Sequence, residues 1–216
     1  MTTDIINNTV RYVQQTLVAA EGGHDWWHIQ RVWHNAQRIA EQEGGNPLVI
    51  ELGALLHDIA DAKFHGGDEE IGPRRAQAFL ESEGADPSVT EAIVHIIRYV
   101  SFRKGTAADN PELAVIQDAD RLDAIGAIGI ARAFSYGGHR GCAIYDPTVD
   151  PRVNLSSEEY KSSLVPTVNH FYEKLLRLKD KMNTETGRRM AEERHRFMEQ
   201  YLAQFFREVP SAIQNP

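Results

Sequence analysis

One cysteine, Cys142, stands in 216 residues, which excludes an intrachain disulfide framework and a multi-cysteine zinc site. Its Gly-Cys-Ala setting offers no partner that would activate a nucleophile, so it reads as an inert thiol. Long apolar runs are missing too, and none approaches the roughly 20 residues that a membrane helix needs. The opening MTTDIINNTVRYVQQ carries acids and amides where a secretory signal has a basic start and an apolar centre. The expectation is a cytoplasmic protein with no membrane partner. Nor is there a surplus of positive charge. With 23 basic against 31 acidic residues the formal charge is −8, which argues against broad nucleic-acid binding and leaves room for a small anionic ligand. Strand patterns, internal repeats and low-complexity tracts are absent as well.

What is present is a globular composition, 42% hydrophobic and 25% charged, sufficient for one good core. Histidine is abundant. His24, His28, His34, His57, His65 and His95 crowd into the first half, an enrichment that points towards metal or acid–base chemistry.

The stretch Leu52-Gly53-Ala54-Leu55-Leu56-His57-Asp58 organises the chain, because an apolar run ends in a histidine beside a carboxylate. Asn46 and Pro47 read as N-cap and first helical position, and Glu51 is the one charge between Leu48 and the doublet in a helix running to Ile59. Such a helix is buried almost all round. Asp58 near its C-terminus is opposed by the macrodipole and by desolvation, so a neighbouring cation is the natural remedy. On its own the doublet fits a satisfied core histidine and a loop-bonded aspartate better than it fits a site.

Upstream, Val10, Val13, Leu17 and Val18 mark an amphipathic helix that stops at Glu21-Gly22-Gly23. Asp25 is placed to cap a second helix, whose core stripe is Ile29, Val32, Trp33, Ala36 and Ala40. Beside it runs a polar flank, His24, His28, Arg31 and Asn35, at spacings of i+4, i+3 and i+4, while Trp27, His34 and Arg38 fall on the solvent side. His28 is therefore a ligand candidate. After the doublet, Asp61, Lys63 and His65 occupy a turn before Gly66-Gly67, and helices follow over Ile71 to Gly84 and after the Asp86-Pro87 cap. His95 in the latter reads as a hydrogen-bonded core residue, and Arg98 should turn towards a carboxylate or anion in the core.

Asn110-Pro111 starts what reads as one long helix through Tyr136. Asp120 falls among Ile116, Ala124 and Ala127 and needs a cation there, Asp123 shares its side, and Asp118 can pair with Arg121 at i+3. Gly126 and Gly129 permit another helix to approach. Tyr136 to Asn154 is the longest irregular segment, in which His139 and Arg140 are either phosphate contacts or exposed loop residues. Two helical stretches follow from Ser156, with Thr184 as the cap between them.

Together His28, the His57-Asp58 pair and Asp120 supply two imidazoles and two carboxylates from three helices. Nitrogen and oxygen donors without thiolates suit Mn²⁺, Mg²⁺, Fe²⁺, Ni²⁺ or Zn²⁺, and four protein ligands in an octahedral shell leave room for water and substrate. Arg31, Lys63, Arg98 and Arg121 would suit a substrate carrying several negative charges.

These residues resemble a known signature. His28 within HIQRV, the doublet within LLHDIAD and Asp120 within DADRLDAIGAIG are similar to the H…HD…D pattern of the HD-domain metal-dependent phosphohydrolases. The closest similarity is to the small bacterial branch that includes nucleoside triphosphate pyrophosphohydrolases, and it continues through NHFYEKLLRLKDKMNTETGRRMAEERHRFM. The resemblance implies an all-α, single-domain HD-type bundle over 1–216, with a catalytic core over about 20–135 and a C-terminal helical part over about 156–208. It further implies one divalent ion, Mn²⁺ first among the candidates, held by His28, His57, Asp58 and Asp120. Asp61 would be general base or water orienter, unless it is a loop carboxylate paired with Lys63. Lys63, with Arg31, would offset charge on the phosphate. His24, His65 and His95 are not assigned to metal. The implied activity is hydrolysis of a (deoxy)nucleoside triphosphate to monophosphate and pyrophosphate by a monomer or homodimer. Alternatives are a phosphomonoesterase or phosphodiesterase on the same site, a paired-iron redox enzyme, or a non-catalytic nucleotide-binding protein.

Overall fold

The computed structural model describes residues 2–18, 25–60, 66–101, 107–152 and 165–209. Among them all regular structure is helical, and no helix is long and apolar enough to cross a membrane. The chain divides into two compact units, one of Met1–Arg121 with Asn183–Gly187, the other of Leu122–Met182 with Arg188–Pro216.

The first unit is built around α3 (Pro47–Leu56). Asn46 starts it, its side-chain oxygen accepting from the backbone N–H of Leu48 at 3.1 Å and of Val49 at 3.4 Å, with Pro47 in the first turn. Leu52, Ala54, Leu55 and Leu56 have no exposed surface. The single charge, Glu51, accepts from Trp33 Nε1 and Gln37 Nε2 of α2 (Trp26–Glu43), so even this face is occupied. Around α3 lie α1 (Thr2–Thr16), α2 and α5 (Pro87–Tyr99), and α4 (Ile71–Ser82) packs on α5. Gly53 explains how α3 fits. A Cβ there would stand 2.7 Å from Ile116 Cδ1 of α6 (Pro111–Asp123) and 3.2 Å from Ile96 Cδ1 of α5. Each fully buried leucine or isoleucine in this layer contributes about 1.5–3 kcal/mol, so displacing α3 would be costly.

The caps fall where the short polar residues stand. Asp25 accepts from the N–H of His28, Asp86 from that of Ser88 and Asn110 from that of Leu113. Thr184 accepts from Gly187 at the start of α9 (Glu185–Glu208). Trp27, His34 and Arg38 are exposed, as the helical wheel of α2 requires. Val18 is a correction: α1 ends at Thr16 and Val18, beyond it, is 84% exposed.

The second unit contains α7 (Gly126–His139), α8 (Thr167–Glu173), a 3₁₀ helix over Leu175–Lys181 and the greater part of α9. Its core is aromatic, with the Phe134 and Phe171 rings 5.9 Å apart and Phe171 and Tyr201 6.1 Å apart. The long helix expected from Pro111 to Tyr136 is two helices. Ile125 is extended and Gly126 has φ +75°, a conformation that a side chain disfavours. A Cβ on Gly129 would lie 2.3 Å from the Ala124 carbonyl oxygen, so this glycine serves the turn rather than a neighbouring helix. Gly126 does lie against a neighbour, the Arg194 side chain of α9. The break also redirects Asp123, which pairs with Arg132 of α7 and does not share the role of Asp120. Helix α7 continues to His139, so Tyr136–His139 are helical and not loop. The first part of the expected helical stretch after Ser156 lies outside the described residues.

Replacing Gly126 by alanine forces a left-handed backbone on an L-residue and sets a methyl 3.0 Å from Arg194. The unfolding free energy in urea is expected to fall by about 1–2 kcal/mol. An unchanged midpoint would show that the turn tolerates a side chain.

Candidate metal centre

Three sequence segments deliver the site. Asp25 caps α2 through the N–H of His28 at 2.9 Å, which places His28 in the first turn with 1% of its surface exposed. Helix α3 ends at Leu56, and His57 follows as its C-cap, still buried. Asp120 is carried by α6, its side chain 30% exposed.

His57 is oriented by its own helix. Its Nδ1 lies 2.8 Å from the Ala54 carbonyl oxygen, and since a carbonyl only accepts, Nδ1 carries the proton. The lone pair is therefore on Nε2, which is buried and has no hydrogen-bond partner. It faces Asp120 Oδ1 at 3.9 Å, and His28 Nε2 lies 3.6 Å from the same oxygen. The two imidazole rings meet edge to face at 5.3 Å between centroids. Donor atoms of His28, His57 and Asp120 all fall within 4.8 Å of one another. Two donors that each bind one ion at about 2.1 Å lie at most about 4.2 Å apart, so both contacts to Asp120 suit a shared ion. Burial pushes the His57 pKa down, while the charges of Asp120 and Asp58 pull it back up. An imidazole kept neutral is the form that ligates. The orphaned Nε2 and the donor chemistry therefore fit a divalent cation.

The remaining residues singled out from the sequence fall differently. Asp58 is half-buried in the turn after α3, close enough to influence His57, and does not belong to the group gathered within 4.8 Å. Arg31 is half-buried on α2, one turn on from His28. Arg121 is buried, with Nη1 3.3 Å from Asp118 Oδ1 and Nη2 donating to Gln117 Oε1 at 3.0 Å, so the i+3 pair forms. Arg98 is a correction. It does not turn to a core carboxylate but forks onto Glu70 at the surface, Nη2 to Oε2 at 2.8 Å, because α5 places it on the exposed face. His95 is half-buried and pairs with Asp109 at 3.0 Å. In the second unit, His139 ends α7 and Arg140 caps it, both exposed, and Arg140 Nη1 donates to the Tyr136 hydroxyl at 3.2 Å. His24, Asp61, Lys63 and His65 lie outside the described residues. Sequence reasoning missed the partners of Asp118, Asn183 and Thr184, which come from 65 and 66 positions away; their signal was the Asn-Thr-Glu-Thr-Gly run opening α9.

Comparison with known proteins places these residues in a lineage. Residues 26–125 match the HD domain family model. The chain is 38% identical to the uncharacterized Bacillus subtilis protein YpgQ over 203 residues, 92% of this chain and 91% of that one. An HD-superfamily hydrolase from Bacillus thuringiensis superposes with a TM-score of 0.78 at 43% identity, covering 96% of this chain and 98% of that chain. B. subtilis YpgQ solved in complex with ADP superposes with a TM-score of 0.74 at 34% identity, covering 95% and 98%.

Asp120→Asn removes the carboxylate charge that raises the His57 pKa and leaves burial unopposed by it. In chelator-treated protein the imidazole of His57, followed by NMR, is expected to titrate at lower pH in the variant than in wild type. An unchanged or higher value would mean that the carboxylate does not act on the ring.

Proposed function

The chain belongs to the HD-domain family, and on that premise we propose that it is a divalent-metal-dependent phosphohydrolase of nucleotides, splitting (deoxy)nucleoside triphosphates into monophosphate and pyrophosphate. The observation that carries the proposal is the buried, unpartnered Nε2 of His57 beside His28 and Asp120. A buried lone pair without a partner is costly unless an electrophile takes it up. The B. thuringiensis relative is described as a hydrolase, and ADP bound to YpgQ supports a nucleotide ligand.

In this reading His28, His57 and Asp120 hold the ion, with Asp58 added from the adjoining turn. Mn²⁺ is the ion we expect, since the donors are nitrogen and oxygen without thiolate; Mg²⁺, Fe²⁺, Ni²⁺ and Zn²⁺ share that preference in part. When bound, such an ion is a Lewis acid towards phosphate and makes water a stronger nucleophile near neutral pH. The protein's own share is distinct. Ala54 fixes the tautomer and direction of His57, and burial keeps the ring neutral. Asp61 is assigned to orient or deprotonate the attacking water, and Lys63 and Arg31 to offset charge on the phosphate. Arg98, bound to Glu70, has no part in this assignment.

The test is a screen of purified protein with each metal against nucleoside tri- and monophosphates and cyclic nucleotides, with products identified. Mn²⁺ with a triphosphate is expected to yield monophosphate and pyrophosphate in equal amounts. His57→Ala should reduce turnover by at least about 100-fold, because it removes a ligand and with it the charge stabilisation. Release of orthophosphate alone would reject the pyrophosphohydrolase assignment and leave the wider class. Tight nucleotide binding without turnover for any metal would reject the enzyme.

A further inference from the structure

Asp118 stands two residues before Asp120 on α6 and has no exposed surface. Its carboxylate accepts from the Asn183 N–H at 2.8 Å, Asn183 Nδ2 at 3.1 Å, the Thr184 N–H at 2.8 Å and the Thr184 hydroxyl at 2.8 Å. Burial raises the Asp118 pKa, and these donors together with Arg121 oppose the rise. Every one of these partners donates, which is the environment that a buried ionised carboxylate requires. On its other side Asp118 receives Arg121 Nη1, and Gln117 takes Nη2 while donating to the Tyr99 carbonyl. Arg121 is thereby held at both arms.

The segment that closes this arrangement is shaped for it. A Cβ on Gly187 would stand 2.3 Å from Asp118 Oδ2 and 2.7 Å from the Thr184 hydroxyl oxygen. The Thr186 N–H donates to Glu43 Oε1 at 2.6 Å, a second tie to the first unit. These bonds explain why Asn183–Gly187 clusters with residues that precede it by more than sixty positions.

From this geometry we infer that Asp118 is a positioning residue for the metal centre: the Asn183–Gly187 clasp holds its carboxylate, Asp118 and Gln117 hold the Arg121 guanidinium, and these ties fix the turn of α6 that carries Asp120. The inference rests on the metal-centre reading given above. Side chains at i and i+2 leave a helix on different sides, so one carboxylate can face the clasp while the other faces His28 and His57. Asp118 and Arg121 flank Asp120 on the same helix, so bonds that hold them hold the turn from which Asp120 projects. Loosening the clasp leaves a buried carboxylate short of donors and frees that turn of α6.

Substitutions at two positions outside the ligand set test this in the full-length protein. Thr184→Val keeps the shape and removes one donor, Thr184→Ser keeps the hydroxyl, and Gly187→Ala drives a methyl towards Asp118. Mn²⁺ affinity is measured by calorimetry without nucleotide, next to urea unfolding and, with nucleotide, kcat and KM. Thr184→Val and Gly187→Ala are expected to bind Mn²⁺ about tenfold more weakly, as the loss of an outer-shell partner does, while Thr184→Ser binds as wild type does. If Gly187→Ala fails to fold, the Thr184 pair decides. Variants that lose stability yet bind Mn²⁺ as wild type does, or a serine variant that fails to restore binding, would overturn the positioning role. Wild-type protein that binds no divalent ion would overturn the metal-centre reading as well, so the two failures are told apart.

Discussion

The hydrogen bond from His57 Nδ1 to the Ala54 carbonyl governs the rest of the site. Ala54 lies in the last turn of α3, where carbonyls have no intrahelical N–H to accept. By accepting the hydrogen bond from Nδ1–H it assigns the tautomer, and the ring's lone pair is left on the buried Nε2. An apolar helix has thus been ended so that its final polar group points into space shared with His28 and Asp120. The arrangement depends on the seat of α3, set by its burial and by the glycine that lets Ile96 and Ile116 close on it.

A second constraint is the separate treatment of three carboxylates on α6. Asp118 is buried and saturated with donors, Asp120 is half-buried beside two imidazoles, and Asp123 is buried against Arg132. Spacing turns Asp118 away from Asp120, and the end of α6 at Asp123 turns that residue to Arg132, so each meets a different partner. A buried carboxylate must be compensated locally. Asp118 and Asp123 have protein cations for that purpose. Asp120 faces two imidazoles, and the buried lone pair of His57 Nε2 beside it makes the position suited to a cation from outside.

Much of this was legible beforehand. The apolar run of α3, the caps at Asp25, Asn46, Asp86, Asn110 and Thr184, and the exposed face of α2 were all correctly placed, because side-chain chemistry at a helix terminus is a local matter. The break between α6 and α7 was not legible. Its cause is a positive φ at Gly126 and the contact of Gly129 with the Ala124 carbonyl, and glycine in an apolar run reads equally well as a packing notch. Arg98 was misjudged for a related reason. Periodicity gives the face of α5, but the Glu70 that captures Arg98 is 28 positions away.

By itself the sequence determined that the chain is all-helical, which short polar residues begin its helices, and that His28, His57 and Asp120 fall on buried or half-buried positions. These follow from apolar spacing and from hydrogen bonds reaching three or four residues. The tertiary structure alone decided which nitrogen of His57 bears the lone pair, that it faces Asp120 together with His28, and that Asn183 and Thr184 return to complete the Asp118–Arg121 pair. The physical reason is that a helical period states which way a side chain points and is silent about what it meets there. A charge buried among several candidate partners is settled by distance.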